Sequence, residues 1–223
     1  MTTHTHYLNF IVLLATMSPA SVGSSLMYLG VGDQNDSIIT NIRLFFLLLP
    51  LVLLIVLVYP FYEDAFVIEI PSLFFILISI PVAILALFSE YAYNLIYIFL
   101  LKRKIYKGIK LSSPWQENNI SLLFVGLILS IAIGEEIIYR QLWFYILGSK
   151  FSLSILPVII ITSFFYGINH FYFGINIVVS KFISGIIYGS FFFVSGYSVI
   201  VSIIIHCIHN LILLILSRKK HEA

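Results

Sequence analysis

Charged residues are scarce in this sequence. Asp, Glu, Lys and Arg make up 10% of its 223 residues, while 61% are hydrophobic. A soluble globular domain carries roughly a quarter of its residues as charges, so the composition excludes that class and predicts an integral membrane protein in a lipid bilayer. The net charge of +2 does not indicate a nucleic-acid partner, because the basic residues cluster where membrane topology requires them.

Cysteine is almost absent as well. Cys207 is the only one, which excludes an internal disulfide and a cysteine-based metal cage. Segments of alternating polarity, which build membrane β-barrels in pieces of about ten residues, are also lacking. The apolar runs are continuous and rich in Leu, Ile and Phe, and they predict an all-α fold.

A transmembrane helix needs about 20 mostly apolar residues. The runs predict a polytopic bundle of seven such helices, or eight if the third run is interrupted near "SEYAY". No Lys or Arg precedes Arg43, whereas a secretory signal begins with a basic region. The first run is therefore interpreted as a membrane helix, with a cleaved signal as the alternative. The runs cover residues 7–29, 38–60, 66–100, 119–146, 152–173, 176–195 and 197–217.

The basic residues predict the topology and the division of the chain. They cluster in the loop at residues 101–110 and in the tail at residues 218–220, and such clusters favour the cytoplasmic side. Four predicted helices separate the two clusters, so both lie on one side. The C terminus is expected in the cytoplasm. Residues 1–118 are predicted to hold the N-terminal helices and the basic loop, residues 119–217 a four-helix core, and residues 218–223 a basic tail.

Three charges interrupt the apolar run "IAIGEEIIYRQLWFYIL". An ionisable residue at mid-bilayer costs about 3 kcal/mol or more, so it usually faces the bundle interior and serves function. Glu136 and Arg140 are four residues apart, which is the favourable order for an ion pair on one helix face. Glu135 is rotated by ~100° from its neighbour and lacks this partner. Its carboxylate is therefore the candidate general base.

Further polar residues interrupt the last helices. His206 and Asn210 lie one turn apart, in "IIIHCIHNLILL", and are expected on one face. His209 is more simply a structural residue, either on that face or turned toward a neighbouring helix. His170 closes the run "FFYGINHFYFG". Lys181 is expected to extend its amine to the membrane interface.

These groups are the inventory for hydrolysing an amide with an activated water. Glu135 would take the proton from water, and His and Asn donors would stabilise the oxyanion. Alternatively, Glu135, His170 and His206 would hold a zinc ion. The sequence does not choose between the two. Gly185 and Gly189, in "SGIIYGS", predict close helix packing around the site.

The order of these motifs resembles the CPBP family, which contains CAAX prenyl endopeptidases and bacteriocin-processing, Abi-type intramembrane proteases. The resemblance spans roughly residues 120–217. It implies that Glu135 activates water, that Glu136 supports it as the partner of Arg140, and that zinc is either present or dispensable. The groups that would complete the site, by oxyanion contacts or by metal ligation, are His170, His206 and Asn210. Departures from the family pattern are Tyr139, Gln141 and Tyr166.

The leading hypothesis is an intramembrane endopeptidase that cleaves a membrane-associated peptide or protein. A bacterial cell membrane, with a role in bacteriocin self-immunity or peptide maturation, is the expected setting, and CAAX-type processing is an alternative. Buried carboxylates and histidines also build proton relays, so a proton-coupled transporter is a second class. The chain lacks the inverted repeats typical of carriers. A third class is a non-proteolytic immunity or scaffold protein.

Overall fold

The computed structural model describes residues 3–19, 37–103 and 121–218, and over these residues the regular structure is helical, without strands. The all-α prediction is confirmed. The main helices, numbered in chain order, are α1 (Thr3–Ala15), α2 (Ser37–Val58), α3 (Leu73–Lys102), α4 (Leu122–Glu136), α5 (Ile155–Ile168), α6 (Ile175–Val194) and α7 (Val199–Arg218).

Five stretches of the described chain are long and apolar enough to cross a membrane. Among the described residues of the predicted runs at 7–29 and 152–173, the apolar helices are shorter, at His6–Ala15 and Ile155–Ile168. The described part of the chain therefore does not confirm the predicted count of seven or eight spans. Helix α3 runs unbroken through "SEYAY", which removes the reason for counting eight. The five candidate spans are Ile38–Phe61, Leu73–Leu101, Leu122–Lys150, Ile175–Val194 and Val199–Leu216.

Helix α5 is short because the chain turns at its end. A turn at Asn169 and His170 leads into one 3-10 turn at Phe171–Phe173. Gly174 follows with a φ of +103°, a backbone conformation that glycine adopts without the steric cost that a Cβ imposes. This turn places His170 directly beyond the helix.

Helix α4 changes its geometry where the charged residues lie. It continues beyond Glu136 as π-helical turns over Ile137–Leu142 and Tyr145–Lys150, within the single span Leu122–Lys150. π-Helical turns inside α-helices frequently occur at functional sites. The wider turns change the directions in which the side chains after the two glutamates project.

The core lies where α4 to α7 meet. Helix α5 packs along α6, α3 packs against both α6 and α7, and α2 packs along α4. The centre of the core is rich in buried aromatic side chains, and Trp143 and Phe165 are in tilted contact with a centroid separation of 4.9 Å. Its buried aromatic members are Tyr139, Trp143, Phe144, Tyr166, Tyr188 and Phe192.

Hydrogen bonds attach the N-terminal part to this core. The Trp143 indole donates to the Thr16 hydroxyl at 2.9 Å, and the Tyr139 hydroxyl donates to the Met17 carbonyl at 3.0 Å. Gln141 is buried and donates to the Val67 carbonyl at 3.0 Å. The polar group that departs from the family pattern therefore anchors the segment between α2 and α3.

The predicted orientation in the membrane remains a prediction. Residues 104–110 and 219–220, which carry most of the basic clusters, lie outside the described residues. The division into an N-terminal part, a core and a tail likewise stays a prediction.

Glycines permit the close approach of α5 and α6. A Cβ on Gly185 would lie 3.0 Å from the Ser163 Cβ and from a Tyr166 ring carbon, and one on Gly189 would lie 3.3 Å from the Phe144 ring. The predicted tight packing is confirmed at these positions. The tightest approach is at Gly167, where a Cβ would lie 2.7 Å from the backbone oxygen of Val178.

We expect Gly167→Ala to destabilise the protein, because the backbone of α6 must move to accommodate the methyl group. Overpacking of this kind typically costs about 1–3 kcal/mol. The matched control is Gly126→Ala, since a Cβ there meets nothing within 4 Å. Thermal unfolding in detergent should show a lower melting temperature for Gly167→Ala alone. Equal melting temperatures for both variants would contradict this account of the helix contact.

Candidate active site

A buried network joins α4 to α7. The Arg140 Nε lies 3.1 Å from Oε2 of Glu136, and the His206 Nδ1 lies 2.9 Å from Oε1 of the same carboxylate. Glu136 and Arg140 are both 0% exposed, and His206 is also buried. The predicted Glu136–Arg140 pair is confirmed. The contact from His206 was not predicted.

This network sets the orientation of the His206 ring. The paired carboxylate of Glu136 only accepts hydrogen bonds, so the Nδ1 of His206 carries the hydrogen. The opposite nitrogen, Nε2, lies 3.3 Å from the Tyr166 hydroxyl and 3.9 Å from Oε2 of Glu135. A carboxylate behind a histidine fixes its tautomer and raises its basicity.

Arg140 also contacts an aromatic ring. Its guanidinium carbon lies 5.3 Å from the centroid of the Tyr166 ring, a distance suited to a cation–π interaction. Its Nη1 and Nη2 atoms have no hydrogen-bond partner within the described part of the chain. Arg140 is therefore held by the carboxylate and by the ring together.

Glu135 has different surroundings from its neighbour. It is 4% exposed, and its Oε1 accepts a hydrogen bond of 2.8 Å from the Asn169 amide. The Nε2 of His170 lies 3.9 Å from Oε1, and that of His206 lies 3.9 Å from Oε2. No lysine or arginine of the described ranges forms an ion pair with Glu135. Its carboxylate thus lies between two imidazoles.

His170 is placed by the turn that ends α5. Its Nδ1 lies 3.0 Å from the Tyr166 carbonyl oxygen, which only accepts, so the hydrogen is on Nδ1 and Nε2 faces Glu135. His170 lies two residues after the end of α5, outside the candidate spans, and burial lowers its pKa to about 3. The ring is neutral at neutral pH, so its Nε2 accepts a hydrogen bond in the resting site rather than donating one to an oxyanion.

Five of the six predicted site residues come together. The exception is Asn210, which is half-buried and makes no hydrogen bond with the cluster among the residues described. The amide that contacts Glu135 is instead Asn169, which the sequence reasoning missed. The available signal was its position beside His170 in "GINHF".

Lys181 and His209 both contact a buried carboxylate that the sequence analysis did not predict as their partner. Lys181 does not extend to the interface: its Nζ lies 2.9 Å from Oε1 of Glu90, a buried carboxylate on α3. The expectation was wrong because the partner carboxylate lies 91 positions away on another helix, outside the predicted core. His209 turns toward the same carboxylate, with Nε2 3.5 Å from Oε2.

A metal ion fits this arrangement poorly. Within residues 3–19, 37–103 and 121–218, no three His, Cys, Asp or Glu side chains are grouped so that they could hold one ion. Asn169 already occupies Oε1 of Glu135, and the Tyr166 hydroxyl lies beside the Nε2 of His206. These positions therefore do not form the zinc site suggested for Glu135, His170 and His206.

The comparison with known families bears on this cluster. Residues 117–212 match the family model described as "Type II CAAX prenyl endopeptidase Rce1-like". This segment is Rce1-like. It begins before α4, ends within α7, and contains all six of the predicted site residues. Over these residues the predicted resemblance to the CAAX protease family is confirmed. No curated protein and no solved structure matches the chain.

The Rce1-like segment yields a stability prediction. Arg140→Met removes the cation from a fully buried carboxylate, and breaking a buried pair on one side costs about 3–5 kcal/mol. We expect a large fall in the melting temperature measured in detergent. The double variant Glu136→Gln/Arg140→Met should recover most of it, because no buried charge remains unpaired. If the fall in melting temperature of the double variant equals the sum of the falls for Arg140→Met and Glu136→Gln, the ion pair is not the stabilising unit.

Proposed function

We propose that this protein is an intramembrane endopeptidase in which Glu135 activates a water molecule to hydrolyse a peptide bond. The observation that carries the proposal is the contrast between two adjacent buried glutamates. Glu136 is neutralised by Arg140, whereas Glu135 lies between the Nε2 atoms of two histidines. A carboxylate free of a cationic partner is available to accept a proton.

The spacing suits a bridging water. The two histidine–carboxylate separations are both 3.9 Å, which is too long for a direct hydrogen bond. A water about 2.8 Å from each atom fits between them at normal hydrogen-bond distances. Such a water would be in contact with its general base and with an imidazole at once.

The reaction follows from these positions. Glu135 takes a proton from water while the water oxygen bonds to the scissile carbonyl carbon. The tetrahedral intermediate then loses its C–N bond as Glu135 returns the proton to the leaving nitrogen, giving a carboxylic acid and an amine, and the acid then gives its proton to the amine. Asn169 holds Oε1 of Glu135, so Oε2 is the oxygen with the freer lone pairs. Asn210, the half-buried amide on α7, is the proposed oxyanion donor.

The proposed substrate is a C-terminal CAAX-type segment carrying a prenyl group. The Rce1-like match supports this class, and the location of the site within apolar helices supports a substrate delivered by its lipid. A prenyl chain partitions reversibly into the bilayer and would bring the adjacent peptide bond to the membrane. The bacterial setting and the role in bacteriocin self-immunity or peptide maturation remain predictions, tested below by a second peptide.

The test is cleavage of two peptides by the full chain in proteoliposomes. One peptide is a prenylated CAAX-type peptide, and the other is an unprenylated precursor-type peptide. We expect the first to be cleaved and Glu135→Gln to lower the rate by about 10²–10⁴-fold, the usual contribution of a general base. Mass spectrometry of the products identifies the cleaved bond.

Glu63→Gln is the matched control, because Glu63 is an exposed carboxylate in the turn after α2. This variant should cleave at the wild-type rate. A folded Glu135→Gln protein that keeps full activity would refute the mechanism. If only the unprenylated peptide is cleaved, the CAAX-type substrate is wrong and a role in peptide maturation is supported. If neither peptide is cleaved, a non-proteolytic function is favoured.

A further inference from the structure

A second buried polar cluster lies beside the proposed active site. Glu90 accepts hydrogen bonds from the Lys181 amine at 2.9 Å and from the Ser184 hydroxyl at 2.5 Å, both on its Oε1. Its Oε2 lies 3.5 Å from Nε2 of His209. Glu90, Ser184 and His209 are all buried. The cluster therefore ties α3 to α6 and α7 within the bundle.

Glu90 lies outside the Rce1-like segment, which begins at residue 117. A carboxylate inside a membrane helix is costly and usually serves function. In a purely structural role, Glu90 would need only its ion pair with Lys181. Its second carboxylate oxygen, however, faces His209. His209 in turn contacts Tyr188, which packs against His206 of the proposed active site.

The link runs through Tyr188. Its hydroxyl lies 2.6 Å from Nδ1 of His209, and its ring stacks on the ring of His206 with a centroid separation of 5.1 Å and an interplanar angle of 29°. His206 is the imidazole that faces Glu135. Tyr188 is thus in contact with both histidines of α7.

The directions of these polar contacts are mutually consistent. A carboxylate accepts, so Glu90 favours the tautomer of His209 with its hydrogen on Nε2. The Nδ1 of that ring is then an acceptor, and it receives the Tyr188 hydroxyl. This hydrogen bond fixes the tyrosine ring against His206.

We propose that Glu90 is a positioning residue for the active site, which holds His206 opposite Glu135 through His209 and Tyr188. The first half of the chain therefore contributes to a site whose other members all lie in the second half. This inference rests on the proposed function only for its activity readout, because the position of His206 is measurable without a substrate.

The first readout is magnetic resonance of the full chain in nanodiscs with ¹⁵N-labelled histidine. The wild type should show His209 with hydrogen on Nε2. Glu90→Gln offers an amide in place of the carboxylate, so we expect the signals of both His209 and His206 to change. Tyr188→Phe keeps the stacked ring and removes only the hydroxyl, and it should also shift the His206 signals. Unchanged His206 signals in both variants would overturn the proposal.

The second readout is cleavage of the prenylated peptide. We expect Glu90→Gln and Tyr188→Phe each to lower kcat by about 10- to 100-fold, as is typical of groups behind a functional side chain, with KM nearly unchanged. The double variant should be no slower than the slower single variant, since both act through one chain of contacts. If the fold reductions in kcat of the two single variants multiply in the double variant, Glu90 and Tyr188 act independently and the proposal is overturned.

The control is Asn94→Ala, one turn beyond Glu90 on α3, where the amide donates only to the Glu90 backbone oxygen at 2.9 Å. It should leave the His206 signals and kcat unchanged. A Glu90→Gln variant that melts lower but keeps both wild-type readouts would assign Glu90 a structural role alone. Coupled histidine signals in a wild-type protein that cleaves neither peptide would contradict the proposed function and leave the positioning role supported.

Discussion

The ion pair between Glu136 and Arg140 is the constraint on which the rest of the site depends. Both side chains are 0% exposed, and the pair lies in the middle of a 29-residue apolar span. Neither charge is tolerable there alone. The pair fixes one carboxylate in its ionised form, and that carboxylate in turn orients His206. Glu135, next in sequence, is left with neutral partners, which is why adjacent identical side chains can have different roles.

Two polar clusters share the interior of the bundle. One surrounds Glu135 and the other surrounds Glu90, and the aromatic ring of Tyr188 lies between them. The glycines of α5 and α6 allow these helices to approach closely enough for the clusters to be shielded from lipid. Burial increases the contribution of each hydrogen bond to stability, because an unpaired polar group in this environment raises the free energy of the folded state. The bundle is therefore specified by polar contacts as much as by apolar packing.

Some of this follows from the sequence because its causes are local. Helical spacing predicts the pairing of Glu136 with Arg140, and the cost of buried charge predicts that these residues face inward. The contact of Glu90 with Lys181 spans 91 positions, and no spacing rule on a single helix relates them. Asn169 reaches Glu135 only because the chain turns after α5. Asn210 shares a helix with His206, but a shared face does not determine which neighbouring helix a side chain meets.

The most direct test of the central claim is an experimental structure of the Glu135→Gln protein with an uncleaved prenylated CAAX-type peptide. We expect the scissile carbonyl beside residue 135 and His206, with a water oxygen about 3–3.5 Å from the carbonyl carbon, as is typical of a reactive arrangement. A bound peptide whose scissile bond lies too far from residue 135 for one water to bridge them would contradict the account.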